Sequence, residues 1–117
     1  MSDYDIEISE PAEAEMDEIH YRLLLRSPQA ATRLRIGLEE AISSLSQMPG
    51  RCPFAPEDGM LDRPIRQLLY RHGGTTYRIL FITIDATEDD PGIVRVTRVR
   101  HGAQQPLNAP SGQPDEE

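Results

Sequence analysis

The sequence predicts a small α+β domain in the order β-α-α-β-β-β, with a two-helix hairpin packed on one face of an antiparallel sheet. Three observations carry this reading. Residues 65–70, 77–84 and 93–101 are rich in Ile, Leu, Val, Thr and Tyr, which suit half-buried pleated backbone, and turn residues separate them. Apolar side chains recur at helical spacing in Ala12, Met16, Ile19 and Leu23, and again in Ala31, Leu34, Leu38, Ile42 and Leu45. A chain of 117 residues suits one domain burying roughly two thirds of its unfolded surface, not two.

The first strand is read over residues 4–9, where Tyr4, Ile6 and Ile8 alternate with Asp5, Glu7 and Ser9. Pro11 then fits the first turn of a helix capped by Ser9 or Glu10, and Glu13, Glu15, Asp17 and Glu18 suit the positive end of its dipole. Ser27-Pro28 stops this helix and starts the next, which ends before Met48-Pro49-Gly50. Residues 49–64 hold four prolines and two glycines and are read as an irregular but ordered rim beside the sheet. His72-Gly73-Gly74-Thr75 supplies a hairpin turn, and residues 85–92 form a longer acidic loop. Val94 and Val96 share a face that Val99 has the wrong parity to join. A bulge near Thr97-Arg98 restores it, bringing Val99 and His101 inward and turning Arg95 and Arg100 outward.

Two Phe, four Tyr and no Trp leave a core of aliphatic side chains. A single cysteine, Cys52, excludes an internal disulfide, the first residues lack the features of a signal peptide, and no apolar run reaches membrane-spanning length. A soluble cytoplasmic protein is expected. The net charge of −8 argues against a generic polyanion binder, since such binding draws on Lys and Arg to release counterions from phosphates. The charge is unevenly spread. Eight of the twenty acids fall in residues 3–18, while residues 63–77 contain none, so the sheet half is locally basic. All twelve basic residues are arginine. A GC-rich or salt-adapted source would produce the same bias without any partner.

Arg66, Arg78, Arg95, Arg98 and Arg100 are set into the apolar strands. A guanidinium is costly to bury alone, so each must face solvent, pair with a carboxylate or await an anionic partner. These five are the candidate partner-binding residues. His20, His72 and His101 have no metal-like spacing, so neither a metal nor any other cofactor is expected. Cys52 lies beside Arg51 but no His-Asp arrangement accompanies it.

Ile8-Ser9-Glu10-Pro11-Ala12 with Asp17-Glu18-Ile19, then Ser27-Pro28-Gln29-Ala30-Ala31, resembles the start of the RelE/ParE superfamily of toxins from type II toxin-antitoxin systems. Ala41-Ile42 with Leu45 and Met48-Pro49-Gly50-Arg51-Cys52-Pro53 resembles its second-helix exit, Ile65-Arg66-Gln67-Leu68-Leu69-Tyr70 its second strand, and Tyr77-Arg78-Ile79-Leu80-Phe81 its central strand. Val96-Thr97-Arg98-Val99-Arg100-His101-Gly102-Ala103 resembles the last strand of ParE and plasmid-stabilisation members. Residues 1–103 are therefore read as one toxin domain, and 104–117 as an acidic tail without a core of its own.

The resemblance implies a toxin neutralised by an antitoxin whose extended C-terminal segment wraps its surface. It leaves two targets open, because RelE-like members cut ribosome-bound mRNA and ParE-like members inhibit DNA gyrase. Cutting RNA requires a proton acceptor, a proton donor and cations around the reacting phosphate. The chain has no lysine, and nothing after His101 is Tyr, His, Arg or Phe. Arg66, Arg78 and His101 are the catalytic candidates if it is a nuclease. The favoured expectation is a ParE-like toxin that binds gyrase without chemistry of its own and without direct sequence-specific nucleic-acid binding. A ribosome-dependent endoribonuclease and a non-toxic, antitoxin-binding homologue stand as alternatives.

Overall fold

The computed structural model describes residues 3–102, so the expected tail at 104–117 lies outside the described residues. Helix α1 (Glu10–Leu24) begins at Ser9, whose Oγ accepts from the Ala12 amide at 3.3 Å, with Pro11 in the first turn and Glu10 and Glu13 at the positive dipole end. Ser27 starts α2 (Pro28–Ser43) in the same way, accepting from the Ala30 amide at 3.2 Å. The two stripes face one another and the sheet. Met16, Leu34, Leu38, Ile42 and Leu45 pack there against Ile79, Phe81, Val94, Val96 and Val99.

Four strands form one sheet in the order β1-β4-β3-β2. β3 (Thr75–Ile84) runs antiparallel to β2 (Arg66–His72) and to β4 (Ile93–His101), as expected. β1 (Asp5–Ile8) corrects the all-antiparallel expectation, because it pairs with β4 in parallel and makes the sheet mixed. A parallel pair needs a long crossover, and the helical hairpin supplies its covering layer. β2 and β3 extend to His72↔Thr75 because the two-residue turn between them is Gly73-Gly74, at φ 58° and 85°. Positive φ at both positions is what the hairpin turn compatible with strand twist demands. The expected bulge is present. Pairing steps from Leu80↔Arg98 to Phe81↔Val96, leaving Thr97 as the extra residue and returning Val99 to the helix-facing side.

The face away from the helices is covered in part. Residues 53–55 run along the outer edge of β2, joined by Gln67 N to Pro53 O at 3.0 Å and Ala55 N to Ile65 O at 2.8 Å. Beyond them the segment folds over the sheet, and Ala55, Ile65, Leu80 and Ile82 make a second, smaller core. The proline-rich connection is thus a cover on the back face rather than a rim.

Gly37 in α2 is required by a close approach. A Cβ built there would lie 1.7 Å from the Tyr70 hydroxyl and 2.5 Å from its ring. Gly37→Ala would gain about 1 kcal/mol of helix propensity but lose about 1–3 kcal/mol to overpacking. A net destabilisation of about 1 kcal/mol is expected in urea unfolding, against the sign that helix propensity alone would give.

Candidate partner-binding surfaces

The five strand arginines named from the sequence all have partners within the fold. Arg78 sits on the back face and donates to Glu57 Oε1 and, at 3.0 Å, to Gln67 Oε1. Glu57 is 1% exposed and Arg78 7%, so this is a buried ion pair. Arg100 is Arg78's cross-strand neighbour. It left the helix face as expected but is buried there, and that burial, with Arg98 alongside, holds its pKa below the ordinary guanidinium value. Arg95 pairs with Glu7 at 2.9 Å on the adjoining strand. Arg66 donates to the Cys52 carbonyl and lies 4.2 Å over the Phe54 ring.

Arg98 completes a different arrangement. β1 accompanies β4 only as far as Ile8↔Val96, so the remaining edge of β4 has no strand beside it. Side chains of α1 and of its N-cap take the place of that strand. The Ser9 hydroxyl donates to the Thr97 carbonyl at 2.9 Å, and one Glu15 oxygen accepts from the Val99 amide at 2.7 Å. The other Glu15 oxygen accepts both Nε and Nη2 of Arg98.

The three nuclease candidates do not converge. Arg66 and His101 face the helices but pair with Phe81 and Tyr77, four residues apart on β3, a separation of about 13 Å along the strand. Arg78 faces the other way. His101 instead meets Tyr77 edge-on, ring centroids 5.7 Å apart, at the mouth of a cleft of about 730 Å³ between α1 and the end of the sheet. Ile19, Arg22, Leu23 and Arg26 line its helical wall and His72 its sheet wall. Burial, with Tyr70 adding to it, raises the Tyr77 hydroxyl's pKa, and burial raises that of the Cys52 thiol despite nearby Arg51 and Arg66.

Other residues emerge that sequence reasoning passed over. Among the described residues Arg26, Arg33, Arg63 and Arg71 are the arginines with neither an ion pair nor a side-chain hydrogen bond. Arg63 and Arg71 lie in the acid-free run 63–77, a signal available in the sequence. Glu15 and Glu57 carried no such signal. Among the described residues no group of three or more His, Cys, Asp or Glu side chains could hold a metal ion, and no helix is long and apolar enough to cross a membrane.

The family model for the ParE toxin of the type II toxin-antitoxin system parDE matches residues 6–106. The chain belongs to the ParE toxin family. Among solved structures, the fold of this ParE-family chain is similar to a chain of the chromosomal ParDE toxin-antitoxin system from P. aeruginosa. The TM-score is 0.60 at 14% identity, covering 84% of this chain and 95% of that one. No curated protein matches the chain.

Proposed function

We propose that this ParE-family chain is a cytoplasmic toxin that stops growth by binding DNA gyrase, and that a cognate antitoxin neutralises it. Antitoxin binding is assigned to the cleft between α1 and the end of the sheet. Ile19, Leu23 and Ala30 give it an apolar wall, and Arg26, without an ion pair among the described residues, offers a contact to acidic side chains, while Arg22 on the same wall pairs with Glu18. The observation that carries the binding mode is that Arg66, Arg78 and His101, the three catalytic candidates, do not converge and so do not act together on one scissile phosphate.

Purified protein added to a supercoiling reaction is expected to inhibit gyrase, and an equimolar amount of antitoxin to restore it. Full supercoiling at micromolar toxin would contradict the target. A second reading rests on the cleft itself, where Tyr77, His72 and His101 stand beside Arg22 and Arg26. Those are the side-chain types of a ribonuclease site, and an endoribonuclease built on them would lose activity in His101→Ala.

A further inference from the structure

The back face presents a surface that neither the cleft nor the internal ion pairs explain. Leu69 and Arg71 project from β2 on the side away from the helices, sharing that face with Gln67 and Arg78. Leu69 is the cross-strand neighbour of Arg78 and therefore borders the buried Glu57 pair. The segment carrying Glu57 continues, through the Met60 amide bonded to the Glu57 carbonyl at 3.1 Å, into Met60, Leu61 and Arg63. Leu69, Met60 and Leu61 are 53%, 46% and 49% exposed, a large apolar content for side chains on one small cover and its adjoining strand. Arg71 follows Leu69 by two residues on the same face of β2 and Arg63 follows Leu61 by two on the cover, both without ion pairs among the described residues.

We propose that this Leu69–Arg71 face, with Met60, Leu61 and Arg63, is the surface that grips the toxin's target. The occupant it fits is an acidic protein surface carrying exposed apolar side chains. Charge complementarity selects it, because Arg63 and Arg71 outnumber the one acid beside them, Asp62 between Leu61 and Arg63, within a chain of net charge −8. Exposed apolar anchors with arginines beside them in the chain are the composition of an interface centre and its rim. The antitoxin's cleft opens on the helix-facing side, so the two partners occupy separate surfaces.

This inference rests on the reading of the chain as a toxin that acts by binding, and one panel of variants tests it. The chain carrying L69Q and R71E, and an R33E control with the same change of charge on α2, are compared with wild type. Gyrase supercoiling, growth arrest, affinity for the antitoxin, melting temperature and mass in solution are measured for each. The double variant is expected to keep its melting temperature and antitoxin affinity but to need about tenfold or more protein for inhibition. R33E should behave as wild type. Unchanged inhibition by the double variant overturns the proposal, as does a matching loss of antitoxin affinity or a wild-type dimer that the variant dissociates. If wild type arrests growth without touching gyrase, the target is wrong but the surface still stands provided the double variant no longer arrests growth. A wild type that does neither overturns both.

Discussion

Glu57→Ala is expected to destabilise the protein by about 3–5 kcal/mol, because it strips the partner from a buried guanidinium instead of removing a surface ion pair. At this chain length that lowers the melting temperature by well over about 10 °C. Two losses combine. Among the described residues Arg78 keeps Gln67 as its hydrogen-bond acceptor, and the cover over Leu80 and Ile82 loses one of the side chains that fix it, leaving Asp58 on the Ile65 amide. Residues 53–64 should therefore become the first site of proteolytic cleavage. Replacing both partners with apolar residues, as in Glu57→Leu with Arg78→Met, removes the Arg78 charge but leaves the buried Arg100 without the attraction of Glu57, so it should recover part of the stability. A loss below about 1 kcal/mol in the single variant would place the pair in the class of exposed ion pairs, against the burial seen here.

Glu15→Ala is the second large effect, about 2 kcal/mol. Most of it arises at the Val99 amide, which loses its acceptor at the edge of β4 where no strand can supply another. The Arg98 contact contributes less, since that guanidinium is a third exposed and water screens it. Glu15→Gln keeps an acceptor and should cost less than half as much. Hydrogen exchange at Val99 separates the two contributions. Its amide should lose protection in Glu15→Ala and keep it in Arg98→Ala, whereas equal protection in all three proteins would remove Glu15 from the strand edge.

Much of the architecture was readable before the structure, because it depends on local periodicity. The stripes Ala12–Met16 and Leu34–Leu38–Ile42 announce which helical faces are buried, and Val99's broken parity announces the bulge. The parallel placement of β1 was not readable. Alternation in residues 4–9 marks a wet face and a dry one but carries nothing about which neighbour the strand takes. The same limit explains the arginines. Their spacing on the strands was plain, but the carboxylates that answer them are distant in sequence: Glu15 lies 84 residues from Val99, and Glu57 sits in a proline-rich segment without period. Arginine type and face therefore suggested an open cationic sheet where the fold builds internal pairs. The acid-free run 63–77 pointed more directly to the arginines left unpaired.

The central claim is that this ParE-family chain stops growth by occupying a protein surface and not by cutting RNA. A transcriptome-wide map of RNA 5′ ends, taken as growth halts after induction of wild type and of Tyr77→Phe with His101→Ala, tests it most directly. The account predicts no new ends in wild type and the same growth arrest in both. New ends at defined positions that vanish in the double variant would contradict it and assign the cleft to catalysis.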